Sequence, residues 1–171
     1  MTASPSVKNY QIPTGIVSFR AEGESTFRDL GNVPKLTLKP NLETKEHKSS
    51  RDGARSTDRT FVISKDIDVT LSLEEVTPEN LALFWLGTQT TNSATQEVID
   101  LFTVNSIKGE LKFVGTNEIG DVYDVLLNSV EFLPSDAMDL IADDLISLPL
   151  TGKASKVAGS FGTFTRTGSE A

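Results

Sequence analysis

Residues 67–73 read Ile-Asp-Val-Thr-Leu-Ser-Leu, an unbroken alternation of aliphatic and polar side chains. A side-chain period of two puts Ile67, Val69, Leu71 and Leu73 on one face of a β-strand and the polar groups on the other. Such a strand needs its aliphatic face covered, so the chain must build a sheet with one buried and one solvated side. Shorter patterns of the same kind recur. Residues 16–21 alternate, and Leu36 and Leu38 stand against Lys35, Thr37 and Lys39 before Pro40, which marks an edge strand or a bulge. Residues 61–63 precede the best strand. Residues 98–104, 107–114 and 122–132 read as further strands, the first two joined at Asn105-Ser106 and the last two by a turn over residues 115–120. Residues 161–166 are a last short strand, and the spacing predicts a β-sandwich or barrel of antiparallel strands.

One helix interrupts this pattern, over about residues 78–87. Thr77 can cap its first amides, Pro78 sits where a missing N–H costs nothing, and Glu79 suits the positive helix start. Leu81, Phe84 and Trp85 fall at i, i+3 and i+4 on one face, which is expected to pack on the aliphatic side of residues 67–73. Gly87 is placed to end the helix in the left-handed conformation. Residues 88–95, rich in Thr, Asn, Gln and Ser, read as a loop. At 171 residues the chain reads as one domain, with extended arms at residues 1–15 and about 155–171.

Residues 43–60 are polar almost throughout and separate two strand-like arms, so they read as a long hairpin loop that cannot bury itself. Its charges are uneven. Residues 35–60 hold seven bases (Lys35, Lys39, Lys45, Lys48, Arg51, Arg55, Arg59) against four acids (Glu43, Glu46, Asp52, Asp58). Residues 97–144 hold eleven acids against Lys108 and Lys112 alone. A basic hairpin and an acidic second half are complementary ends, and copies can stack head to tail. Lys45, Lys48, Arg51, Asp52, Arg55, Asp58 and Arg59 are the candidate contact residues.

Catalysis finds little material here. The chain has no cysteine and a single histidine, His47. That excludes disulfides, thiol nucleophiles and cysteine-ligated metal, and a two-histidine metal centre. No phosphate-cradling, dinucleotide or nucleophile-elbow motif occurs. Asp136, Asp139, Asp143 and Asp144 lack the spacing of a calcium loop and read as a solvated acidic segment. Glu74 and Glu75 are neighbours on a strand and face opposite sides, which spoils them as a catalytic pair. The expectation is no enzyme, no cofactor and no metal. The net charge of -8 argues against electrostatic binding to nucleic acid or to an anionic membrane. No run approaches the ~18 apolar residues of a membrane span, and the first ten residues lack a signal-peptide core, so the reading is a soluble cytosolic product.

Several strings in order carry a family resemblance. Residues 29–41 (Asp-Leu-Gly-Asn-Val-Pro-Lys-Leu-Thr-Leu-Lys-Pro-Asn), 45–53 (Lys-Glu-His-Lys-Ser-Ser-Arg-Asp-Gly), Asp58-Arg59-Thr60, the alternating strand and the helix Pro78-Glu79-Asn80-Leu81-Ala82-Leu83-Phe84-Trp85-Leu86-Gly87 together resemble tail tube proteins of tailed bacteriophages. The resemblance covers residues 30–87 and continues more loosely beyond.

The resemblance implies a β-sandwich subunit with a flanking helix. Six such subunits form a ring whose sheets join into one inner β-barrel, and rings stack into the tube of a long, non-contractile, siphophage-type tail. A tape measure protein fills the lumen during assembly, terminator and tail-tip proteins close the ends, and genomic DNA leaves through the lumen unbound. The place of such a protein is the virion, after assembly in host cytoplasm. The hairpin would reach the neighbouring ring and the terminal arms would bridge subunits. The chain ends too soon for the immunoglobulin-like domain some relatives carry. Acids facing the lumen would repel phosphate and keep DNA sliding; the candidates are Asp66, Asp68, Glu110, Asp121 and Asp124. Alternatives are the tube subunit of a contractile tail or type VI-like secretion system, which shares the fold, and a small β-sandwich ligand-binding module with Trp85 at its pocket.

Overall fold

A computed structural model describes residues 10–51, 53, 55–93, 96–116 and 121–167. Ten strands and one helix follow one another as β1 (Gly15–Ala21), β2 (Arg28–Asp29), β3 (Lys35–Lys48), β4 (Thr57–Leu73), α1 (Pro78–Phe84), β5 (Thr88–Ser93), β6 (Gln96–Asp100), β7 (Ile107–Gly115), β8 (Val122–Pro134), β9 (Leu148–Ala154) and β10 (Gly162–Thr167). Eight strands form one antiparallel sheet in the order β2-β1-β7-β8-β9-β4-β3, with β10 added to β8; β5 and β6 form a separate hairpin. The architecture is mostly β with one short helix, as expected, and the sheet is not a closed barrel.

The core lies on one face of this sheet. Val17 and Phe19 of β1, Val69, Leu71 and Leu73 of β4, Leu111 of β7, Val125, Leu127, Val130 and Phe132 of β8, and Leu148 and Leu150 of β9 meet Leu83 and Phe84 of α1. In β8 the apolar alternation breaks at Asn128-Ser129. The register against β7 shifts at the same place, where Gly109 stands opposite Val130 and Leu111 opposite Leu127. A bulge here returns Val130 and Phe132 to the core face instead of turning them outward. It also divides the second edge of β8: β10 pairs with Val122–Leu127 and β9 with Val130–Pro134. The bulge backbone stays satisfied, because Asn128 N–H donates to Phe161 O and Ser155 N–H donates to Ser129 O.

Four local expectations are corrected. The helix is seven residues, capped by Thr77, whose hydroxyl accepts from the Asn80 amide. Its Leu83 and Phe84 share the core with Val69, Leu71 and Leu73 as expected, while its backbone also lies close to β6, β9 and β5. The left-handed residue after it is Leu86 (φ 48), not Gly87; a Cβ on Gly87 would stand 2.5 Å from Asp100 O, so that glycine answers a close approach of backbones. Residues 88–93 are strand β5, paired with β6, so β6 does not pair with β7 across Asn105-Ser106. Threonine favours strands, but a strand polar on both faces carries no alternating signal.

Asn80 is the one buried polar side chain among the described residues, at 1% exposure. Its amide donates to Leu30 O and Glu75 O and its carbonyl oxygen accepts from Arg28. It thereby ties α1 to the β2–β3 segment. Burial pushes the Arg28 pKa down, and nearby Glu79, Glu24 and Asp29 oppose that shift. Asn80→Ala is expected to lower stability by about 1–3 kcal/mol, because the buried Leu30 carbonyl, the half-buried Glu75 carbonyl and the Arg28 guanidinium lose their partner; thermal unfolding of the subunit measures it.

Candidate assembly surfaces

The β3–β4 hairpin is mostly strand rather than loop. Pairing continues from Lys35↔Ser72 to Lys48↔Thr57, so most of the segment 43–60 expected as loop is paired strand. Cross-strand hydrogen bonds let a largely polar segment stay extended without a core of its own. β9 covers β4 only from Ile67 to Leu73, so among the described residues the half from Thr57 to Asp66 is paired on one side alone, as β3 is throughout. Pro40 lies in this edge strand, where its missing amide breaks no ladder.

Of the candidate contact residues, Lys45, Lys48, Arg51, Arg55, Asp58 and Arg59 are exposed on this projecting hairpin, and Asp52 lies outside the described residues. His47 Nδ1 lies 2.6 Å from Asp58 Oδ1, and Arg59 stacks over the Phe61 ring at 5.0 Å. Leu42, Phe61, Val62 and Ile63, apolar residues in the same arm, are exposed as well.

The five candidate lumen acids do not share a face. Asp66, Asp68, Glu110 and Asp124 alternate with core residues of β4, β7 and β8 and stand on the face away from α1. Asp121 instead pairs with Arg166, which stands opposite Tyr123 on the core-facing side of the sheet. The acids are also not isolated. Asn41 donates to both Asp66 (2.8 Å) and Asp68 (2.7 Å), Lys153 lies 3.9 Å from Asp66 and 3.8 Å from Asp68, and Arg20 donates to Glu110 at 2.6 Å. Asp124 Oδ1 is buried without a hydrogen-bond partner among the described residues.

The Asp68–Lys153 pair belongs to a row that runs across five strands. Lys39 of β3 stands opposite Asp68 of β4, Asp68 opposite Lys153 of β9, Lys153 opposite Glu131 of β8, and Glu131 opposite Lys108 of β7. Signs alternate at every step. The face away from the helix is therefore charged but balanced, a pattern visible only once the register is known. Hydrogen bonding to Ser106, with the Lys108 charge beside it, holds the Glu131 carboxyl below its ordinary range despite partial desolvation. Its stabilising contribution is thus present above the unfolded glutamate value of about 4.3 and is lost as pH falls through the depressed folded value. Carbon-detected titration of the Glu131 carboxyl is expected to give a midpoint below that of glutamate in the unfolded chain, moving up in Lys108→Ala.

Residues from Tyr10 to Thr14 lie along the far end of β7 and β8, where Gln11 donates to Asp121 O and Thr14 exchanges hydrogen bonds with Thr116. Residues 1–9 and 168–171 of the two expected arms lie outside the described residues. Beside Pro13–Gly15 opens a cavity of about 650 Å³ between β3 and the β7–β8–β10 wall, lined by Leu36, Leu38, Phe113, Val125 and Phe164. Trp85 does not line it; the indole packs edge-on against Phe84 and Phe102. Of the expected helix face, Phe84 is fully buried and Leu81 and Trp85 half-buried, and Leu83 completes the core contact.

Acids weighed as chemistry have structural partners. Glu74 and Glu75 both bind Asn32, Glu74 through the side-chain amide and Glu75 through the backbone amide. Among the described residues no group of His, Asp and Glu is placed to hold a metal ion. No described helix is long and apolar enough to cross a membrane.

This antiparallel sheet with a flanking helix and a long β3–β4 hairpin has solved counterparts. A chain of the sheath–tube complex of an extracellular contractile injection system (PVC), in its extended state, superposes with a TM-score of 0.52 at 13% identity, over 98% of this chain and 100% of that one. A chain of the anti-feeding prophage (AFP) baseplate, six-fold symmetrised, superposes with a TM-score of 0.51 at 10% identity, over 98% of each. At these identities the likeness is one of fold. No curated protein matches the sequence. Residues 11–98, just over half of the chain, match the family described as "Protein of unknown function UCP028589", and the chain belongs to that family.

Proposed function

We propose that the protein is a structural tube subunit of a phage-tail-like particle, without catalytic activity. Copies close into rings, six subunits to a ring, and the rings stack into a hollow tube. The observation that carries this reading is the β3–β4 hairpin. It leaves the domain as paired strands, exposes apolar side chains and cations together, and has no core of its own. A monomer gains nothing from such an element, and its open strand edges invite aggregation unless a second copy covers them. The two sheet edges, β2 and β3, are likewise unpaired among the described residues, as ring closure through neighbouring sheets requires.

The face away from α1 would then line the channel. Its cations Lys39, Lys108 and Lys153 stand beside acids and Arg20 is held by Glu110, so apart from exposed Lys112 a passing polyanion meets few free charges to grip. Asp66, Asp68, Glu110 and Asp124 are the lumen candidates on this geometry, and Asp121 is not. DNA, tape measure, terminator and tip proteins are the partners this assignment brings.

One solved counterpart belongs to a contractile injection system, so a contractile tail fits the fold at least as well as the non-contractile tail suggested by the sequence resemblance. Negative-stain microscopy of the purified protein at high concentration tests the reading. Rings or tubes with a central channel are expected; a species monomeric at every concentration would sink it. Co-purification with a co-expressed sheath protein separates the contractile form from the other.

A further inference from the structure

The β8–β9 connection, residues 135–147, is an unusual surface. It carries Asp136, Asp139, Asp143 and Asp144 with no Lys, Arg or His, and none of the four forms an ion pair among the described residues. Its apolar residues divide in two. Met138 and Ile146 pack against the core, whereas Leu140, Ile141 and Leu145 point to solvent, Ile141 at 99% exposure. The loop is anchored at both ends, by Ser135 N–H donating to Pro149 O and by the hydroxyls of Ser147 and Ser72 at 2.5 Å. Anchoring by Met138 and Ile146 while Leu140, Ile141 and Leu145 face water is the arrangement of a presented surface, not of a collapsed one.

The hairpin is its complement in both respects. Lys45, Lys48, Arg51 and Arg55 are exposed and form no ion pair among the described residues, four cations against four acids. Leu42, Phe61, Val62 and Ile63 supply exposed apolar area. The two surfaces sit at opposite ends of β4. The hairpin tip immediately precedes Thr57, and the acidic loop adjoins Leu73, which stands opposite Leu148. At ~3.4 Å per residue the strand separates them by roughly 50 Å, so one chain cannot bring its own pair together.

We propose that the 135–147 loop is the receiving surface for the β3–β4 hairpin of a second copy of this chain. The contact is heterologous, head to tail, and repeats without closing. It rests on the tube-subunit reading and names the partner face that reading lacks. Opposite charge sets polarity and register, and Leu140, Ile141 and Leu145 meet the hairpin's apolar residues.

Charge reversal tests it. Asp139→Lys, Asp143→Lys and Asp144→Lys together, or Lys45→Glu, Arg51→Glu and Arg55→Glu together, should each cut the sedimentable fraction at least tenfold. All six changes in one chain should restore it. Every substituted position is exposed, and unfolding midpoints should stay near wild type; restoration by the six-fold variant also answers any objection from misfolding. Wild-type tubes with an unaffected loop variant would overturn the pairing while leaving the tube reading intact. Loss in both triple variants without restoration would likewise overturn it. Wild-type protein that never assembles would remove both.

Discussion

Replacing Phe132 with alanine is expected to lower the stability of the subunit by about 3–5 kcal/mol. The ring is fully buried, meets Phe19 edge-on at 5.4 Å between centroids, and stands opposite Gly152, whose missing Cβ leaves it room. Few rearrangements can fill the space, because β7, β8 and β9 are held on both edges by their ladders. Against a typical total of roughly 5–15 kcal/mol the loss is large enough to unfold much of the population. Urea denaturation of the monomeric subunit should show the midpoint falling steeply. A change below about 1 kcal/mol would mean that the β8 bulge does not deliver Phe132 to the core as described.

Removing residues 49–56 and joining Lys48 to Thr57 through a two-residue Asn-Gly turn should have the opposite profile. No described residue in the tip is buried, and Lys48 and Thr57 are already cross-strand partners, so the change in stability should stay within about 0.5 kcal/mol. Assembly should instead fall by tenfold or more, since Arg51 and Arg55 leave with the tip. Light scattering against concentration measures it. Tubes of normal length formed by the shortened chain would contradict the role given to the hairpin.

These two outcomes divide what the chain dedicates to folding from what it dedicates to contact. That division is partly legible in the amino-acid order. The alternation at residues 67–73 names the buried face of β4 correctly, with Val69, Leu71 and Leu73 all at the core. Thr77, Pro78 and Glu79 place the helix start, because capping chemistry is local. Charge counts likewise separate a basic hairpin from an acidic second half.

Other features escape a linear reading for definite reasons. β5 is polar on both faces and shows no period. Asn80 resembles any surface asparagine until Leu30, Glu75 and Arg28 converge on it from distant segments. Leu86 takes the left-handed conformation beside a glycine that was the better candidate, because the β5–β6 hairpin crowds Gly87.

The acids show the limit most plainly. In sequence, Asp66, Asp68, Glu110, Asp121 and Asp124 are one class of negative charge. Strand register sorts them: Asp68 joins an alternating row with Lys39, Lys153, Glu131 and Lys108, Glu110 pairs with Arg20, and Asp121 turns to the other face with Arg166. The loop at residues 135–147 keeps all four of its acids out of ion pairs among the described residues. Sequence by itself determined that this chain is a β-sheet protein with one helix and a charged hairpin, since side-chain period and capping act over a few residues. Which charges neutralise one another, and which remain for a partner, was decided by tertiary structure alone, because cross-strand neighbours lie tens of residues apart and only their pairing brings them within reach.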